Sequence, residues 1–356
     1  MIIIDSHLDL AWNALQWNRD LTQSVYAIRA QETEISGAGR GQNTVAFPEM
    51  RDGRIALCFG TLLARSTGQP VHDLDYASPQ QAYATAQGQL AYYKALTRDG
   101  HIRLITTADE LTDHINIWEA WEEAGAVSPS PVLGILISME SADPILEPDD
   151  LATWRDAGLR VIGPAHYGKG RYCGGTSVED GFTERGFQLL KQMEQHNIVL
   201  DMTHLTDRAF WEAMNSFGGN VLASHNNCRA LVPDQRQFDD KQLNAIIERK
   251  GIIGVAFDNW MLDPKWERGK SKNTSVSLTT IVDHIDHICQ LAGNANHVGI
   301  GSDLDGGFGR EQSPHDLDTI ADLQKLIPLL EQRGYTHIDI ENIMYKNWVR
   351  FLQSVW

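Results

Sequence analysis

At 356 residues the chain can bury a large core without disulfides or structural metals, as one barrel-type domain or two average ones. Hydrophobic residues make up 42% and charged residues 22%, the balance of an ordinary soluble protein, and no apolar run approaches the ~18 residues that argue for a membrane helix. A formal net charge of −17 repels a phosphate backbone and argues against nucleic acid as a partner.

The chain opens with Met1 to Ile4 running straight into Asp5-Ser6-His7, with no basic segment and no long apolar stretch of the kind that directs export. Cys58, Cys173, Cys228 and Cys289 are scattered and form no C-x-x-C pair. Both features lead to the expectation of a cytoplasmic protein. Short β-branched apolar runs predict eight strands, at 2–4, 55–61, 132–138, 160–165, 198–202, 221–224, 252–257 and 298–301. Helical periods lie between them. Ser78 as N-cap and Pro79 at the first helical position open a helix reaching about residue 98. Others are predicted over 180–196, 206–217, 239–250, 277–292, 316–333 and 339–353. The long polar segment 13–54 is expected to decorate one end of the molecule, and Ser128 to Pro131 to form a turn rather than a domain boundary. Alternation of strand and helix implies parallel pairing with right-handed crossovers, and eight strands imply closure. The expectation is one (β/α)8 TIM-type barrel, an α/β domain spanning residues 1–356.

A ligand-capable residue follows the apolar run in six of these strands. His7 and Asp9 follow the first, Glu140 the third, His166 the fourth, His204 the fifth, His225 the sixth and Asp303 the eighth. One His or Glu at a strand end is ordinarily a hydrogen-bonded loop residue. Six strands offering one at the same relative place point to a shared site, because a barrel gathers all these ends on its C-terminal face. His7 and Asp9, two residues apart in an extended segment, share a face and can bind one ion together. Two further imidazoles and a carboxylate able to bridge complete a set for two divalent ions. Mixed nitrogen and oxygen ligands suit Zn²⁺, and Mn²⁺, Co²⁺ or Fe²⁺ are compatible by geometry.

The same residues carry a resemblance. Asp5-Ser-His7-Leu-Asp9, Ile137-Ser-Met-Glu140, Asp201-Met-Thr-His204, Ala223-Ser-His225 and Gly299-Ile-Gly-Ser-Asp303-Leu-Asp-Gly-Gly307 resemble the membrane (renal) dipeptidase family of amidohydrolase-type barrels. The likeness extends to Asp283-His-Ile-Asp-His-Ile288 and Asn347-Trp-Val-Arg350, so it spans nearly the whole chain in order. It implies that His7 and Asp9 hold one zinc ion, that His204 and His225 hold the second, and that Glu140 bridges them. It implies that His166 stabilises the tetrahedral intermediate, that Arg236 grips the substrate carboxylate, and that Asp303 handles the proton. The implied reaction is hydrolysis of a small dipeptide, L,D-dipeptides included, by a metal-bridging hydroxide, in a homodimer. Two metals bring the pKa of a shared water towards neutrality, and a planar guanidinium reads a terminal carboxylate bidentately.

Several stretches depart from the family pattern. Ser141-Ala142 replaces glycines after Glu140, the loop 167–175 is basic and aromatic, and Val255-Ala256-Phe257-Asp258 replaces Val-Asn-Phe. Lys169 and Arg171 are candidates to engage an acidic or carboxylate-bearing substrate, although a solvated loop is the favoured reading, and an N-acyl or D-configured amino acid derivative, or a lactone, is the alternative substrate. Asp305 reads as a turn residue, His284 and His287 as helix-packing and surface residues, and Trp118 and Trp121 as core aromatics. A nucleic-acid phosphoesterase barrel fits poorly, since such barrels open on H-x-H rather than H-x-D.

Overall fold

The computed structural model describes residues 1–69, 71 and 73–356. Its strands are β1 (Ile3–Leu8), β2 (Ile55–Leu63), β3 (Ile102–Leu104), β4 (Leu133–Glu140), β5 (Leu159–Gly163), β6 (Val199–Asp201), β7 (Val221–Leu222), β8 (Ile253–Val255) and β9 (Val298–Ile300). All pair in parallel, in the spatial order β7-β6-β5-β4-β2-β1-β9-β8. A parallel bridge between Ala223 and Ile253 brings the two ends of that order together, and the expected eight-stranded barrel results. Every residue of β1, β2 and β4 is buried. Strands covered on both faces must be apolar throughout, which is why they read as continuous runs rather than alternations.

β3 was not expected. It pairs with β4 at Leu133 to Ile135, while β5 pairs with β4 from Ile137 onward, so two short strands share one edge of β4. Three residues are too few for a period to show.

The helices predicted over 78–98, 180–196, 206–217, 239–250 and 277–292 are present as Pro79–Arg98, Glu184–Gln195, Asp207–Ser216, Asp240–Glu248 and Leu278–Ala292. Ser78 caps the first, accepting from the Gln81 amide. The two C-terminal helices are broken. A 3₁₀ segment, Ile320–Lys325, leads into Leu326–Arg333, and a π turn, Asn342–Lys346, separates His337–Glu341 from Asn347–Val355. Helices Leu10–Gln16, Val25–Gln31, Phe47–Asp52, Ala108–Glu123 and Leu151–Asp156 were not expected. All but Ala108–Glu123 span two turns or fewer, too little for periodicity to register. Among the described residues no helix is long and apolar enough to cross a membrane.

Segment 13–54 wraps the barrel mouth. Arg19, buried, forks onto Glu32 through two 2.9 Å bonds. The buried Asp305 accepts from the Thr44 amide at 2.7 Å and the Val45 amide at 3.0 Å, which pins this segment to the loop after β9. Asp305 is therefore structural, as expected of a turn residue. At the mouth the strands β7, β8 and β9 converge closely: a Cβ on Gly301 would lie 1.8 Å, and one on Gly254 2.1 Å, from the Ser224 carbonyl oxygen. Only glycine leaves room for that approach.

Candidate active site

The residues predicted from strand ends meet at the C-terminal face. Glu140, the last residue of β4, points its two carboxylate oxygens at different imidazoles. Oε2 lies 3.7 Å from His7 Nε2, while Oε1 lies 3.0 Å from His204 Nε2 and 3.4 Å from His225 Nε2. Around His7 stand Asp9 Oδ1 at 3.9 Å and Asp303 Oδ1 at 3.8 Å. His166 Nε2 is 4.0 Å from Glu140 Oε2. Two ligand sets thus share one carboxylate. Backbone strain clusters here as well: Ser141, His204, Asp303 and Asp305 all adopt left-handed φ between 58° and 68°. Non-glycine residues held there are uncommon and gather at functional sites.

Each liganding imidazole is oriented by a hydroxyl on its far nitrogen. His204 Nδ1 lies 2.8 Å from Thr176 Oγ1, His225 Nδ1 2.8 Å from Ser224 Oγ, and His7 Nδ1 3.5 Å from Thr61 Oγ1. Such a hydroxyl can accept Nδ1–H, and the Nε2 lone pair then faces inward, as a metal ligand requires. Replacing Thr176 by Val keeps the shape and deletes this partner. Metal affinity should fall by about tenfold, as for other outer partners of a liganding His. A chelator-competition titration on Thr176→Val measures it, and an unchanged affinity would count against the orienting role.

The electrostatics call for cations. Burial, then repulsion from Asp9 and Asp303, holds the Glu140 carboxyl well above the usual range. Burial, then Asp9 and Asp258, does the same to Asp303, and burial lifts Asp9 to about 7. Burial followed by Arg236 presses His7 down to about 3, and burial keeps His204 and His225 neutral too. Neutral imidazoles and crowded carboxylates are the donor set that a divalent cation takes. His7 Nε2, Asp9 Oδ1 and Glu140 Oε1 are buried with no hydrogen-bond partner among the described residues, and His204 Nε2 faces His225 Nε2 at 3.2 Å. An isolated buried carboxylate is penalised by several kcal/mol, on the order of what a divalent ion restores. The residues present therefore fit two metal ions: His7 and Asp9 for one, His204 and His225 for the other, and Glu140 between. Asp303 stands within ligand reach of the first ion as well.

The site opens into a cavity of about 420 Å³ lined by Glu140, His166, His204, His225, Arg236 and Asp303 among others. Arg236 is 2% exposed. It donates to the Asn226 side-chain oxygen at 2.6 Å and the His225 carbonyl at 2.8 Å, and no carboxylate pairs with it among the described residues. A buried guanidinium without a counterion is suited to an anionic ligand.

The candidate substrate role of Lys169 and Arg171 is not supported, and neither lines the cavity. Lys169 pairs outward with Asp180 at 2.7 Å, and Arg171 spends its guanidinium on the carbonyls of Asp143, Ile145 and Leu146. Beside Arg236, the cavity cations are Arg65 and Arg268, with Tyr167, Asp258 and Trp260 next to them. Arg65 and Asp258 follow β2 and β8, the two barrel strands to which no site residue had been assigned. The rule that found the other six, a polar residue just past the apolar run, would have found these too. His284 is buried, with its Nδ1 taken by the Cys228 amide, and His287 meets Asp240 at 2.7 Å, so the pair packs rather than binds metal. Trp118 is fully buried, in line with its core reading.

Comparison with known proteins gives the family. The model of the membrane dipeptidase family, peptidase family M19, matches residues 1–356. A protein encoded in the pqqA 5′ region of Klebsiella pneumoniae is 34% identical over 215 residues, 58% of this chain and 76% of that one. A dipeptidase of Claviceps purpurea is 27% identical over 202 residues, 56% of this chain and 45% of its own length. The crystal structure of a metallopeptidase from Rhodobacter sphaeroides, liganded with a phosphinate mimic of the dipeptide L-Ala-D-Ala, superposes over 100% of this chain and 99% of that one, with a TM-score of 0.79 at 21% identity. With the family model matched from end to end, this chain belongs to the membrane dipeptidase family, peptidase family M19.

Proposed function

We propose that this metallo-dipeptidase hydrolyses free dipeptides, L,D-configured ones included, with two zinc ions held by His7, Asp9, Glu140, His204 and His225. The observation that carries the reading is the pairing of a shared carboxylate, Glu140, with a buried and uncompensated cation, Arg236, in one small cavity. When bound, the metals polarise the scissile carbonyl and bring a water's pKa towards neutrality.

The remaining work falls to the chain's own groups. Arg236 anchors the substrate's terminal carboxylate and so fixes the length of peptide that fits. His166 donates from Nε2 to the carbonyl oxygen as it gains charge, a contribution on the order of 10²-fold for one such donor. Asp303 accepts the proton of the attacking water and returns it to the departing amine. The phosphinate dipeptide bound by the Rhodobacter sphaeroides enzyme supports the choice of an L,D substrate.

A second reading, an N-acyl or D-configured amino acid derivative, draws on the apolar lining supplied by Trp12, Leu63, Trp260 and Phe308, which would accept an acyl group in place of an ammonium. One panel separates them: purified protein with L,L-dipeptides, L,D-dipeptides and N-acyl amino acids, each with added Zn²⁺ and with chelator. Metal-dependent cleavage of a free dipeptide is the expected result. Cleavage confined to N-acyl amino acids would replace the first reading by the second. All four cysteines are free and buried, which supports a cytosolic location, and the family resemblance supports a homodimer. Cell fractionation and light scattering test these two points.

A further inference from the structure

We propose that Arg65 is a positioning residue that sets the tautomer of His166, so that His166 presents Nε2–H, and never a bare lone pair, to the reacting carbonyl. The inference rests on the role given to His166 above.

The geometry leaves little freedom. Arg65 Nη1 lies 3.0 Å from His166 Nδ1. A guanidinium has N–H donors and no acceptor, and it stays charged in proteins. His166 Nδ1 must therefore be the acceptor, which places the single proton of the neutral ring on Nε2. That nitrogen is the one 4.0 Å from Glu140 Oε2, on the metal side of the ring. A serine or threonine hydroxyl, like those behind His204 and His225, can donate or accept and would impose no such choice. The contrast has chemical sense. A ligand imidazole needs its lone pair inward, whereas a donor to an oxyanion needs its proton inward.

Arg65 is itself held rigidly. It is 8% exposed, and its Nε donates to Asp75 Oδ2 at 3.0 Å. Asp75 is 4% exposed and also accepts from the Thr67 amide at 2.9 Å and the Thr67 hydroxyl at 2.6 Å. The backbone closes the same unit: the Arg65 amide donates to the Leu74 carbonyl and the Tyr76 amide to the Arg65 carbonyl. The loop after β2 thus turns back on itself to aim one guanidinium at one imidazole nitrogen.

The test uses the full-length zinc-loaded protein carrying ¹⁵N-labelled histidine, with His166 identified by the signals lost in His166→Ala. Imidazole nitrogen correlation spectra should show His166 as a pure Nε2–H tautomer in the unaltered protein. In Arg65→Met that pattern should give way to a mixture, with kcat about tenfold lower and KM within about twofold, the signature of a lost transition-state donor. Arg65→Lys, which still donates to Nδ1, should restore most of both. If Arg65→Met does not fold, Asp75→Asn carries the same test, since it loosens the aim of Arg65 while leaving its charge.

A pure Nε2–H tautomer retained in the variant, or a changed tautomer with unaltered kcat, overturns the inference. Full activity in His166→Ala would instead remove the role of His166 and the positioning role with it. A His166→Ala enzyme that is inactive beside a fully active Arg65→Met enzyme removes only the positioning role.

Discussion

Replacing Glu140 by Gln should lower kcat/KM by about 10³-fold or more and reduce the bound zinc from two ions per chain towards one. Glu140 is the group that touches both ligand sets, with Oε2 towards His7 and Oε1 towards His204 and His225. The amide has the same shape but no charge, and its nitrogen would present N–H to one set or the other. Two-metal polarisation contributes several kcal/mol of transition-state stabilisation, and each 1.36 kcal/mol is about a decade in rate. A structural control is built into the same variant. In metal-free protein the carboxylate is disfavoured by burial and by Asp9 and Asp303, so a neutral Gln should leave the apo form at least as stable near pH 8. The zinc-dependent rise in Tm should shrink. Elemental analysis, steady-state kinetics and calorimetry read these three quantities. Two bound ions together with activity within tenfold of the unaltered enzyme would remove Glu140 as the bridge.

Arg236→Met should raise KM for a free dipeptide by about 10²-fold. Losing one partner of a buried, hydrogen-bonded charge pair costs about 2–5 kcal/mol, and 1.4 kcal/mol is about tenfold in affinity. The internal bonds of Arg236, to Asn226 and the His225 carbonyl, are also lost. For that reason the comparison runs against a dipeptide whose C-terminal carboxylate is capped as an amide. The capped substrate should be poor with the unaltered enzyme and should lose little further in the variant. Equal losses on both substrates would mean that Arg236 supports the His225 backbone rather than the substrate, and metal content measured on the same sample would then fall with activity.

The barrel was legible because burial on both faces makes parallel strands apolar from end to end. The eight runs from 2–4 to 298–301 correspond to β1, β2 and β4 to β9. The five candidate metal ligands, with His166 and Asp303, were legible for a related reason: a barrel places its chemistry where each apolar run stops. Glu140 shows the point, since it is both the last residue of β4 and the carboxylate that faces His7 and His204. Elements of two turns or fewer, such as Phe47–Asp52, carry too little pattern to be read, and β3 exists only because β5 leaves part of the β4 edge open.

What tertiary structure alone decided is the direction in which polar side chains spend their hydrogen bonds. Lys169 and Arg171 stand in a loop beside the site and were candidates to engage substrate, yet their charges are consumed by Asp180 and by backbone carbonyls. Arg65 drew no assignment from the sequence, yet its pairing with Asp75 aims it at His166. Residue type and spacing along the chain determined the fold, the family and the candidate metal ligands, because those depend on periodicity and on which residues end the strands. Which cations face the cavity, and which histidine shows a proton rather than a lone pair, depends on partners brought from distant loops, and no local pattern encodes that.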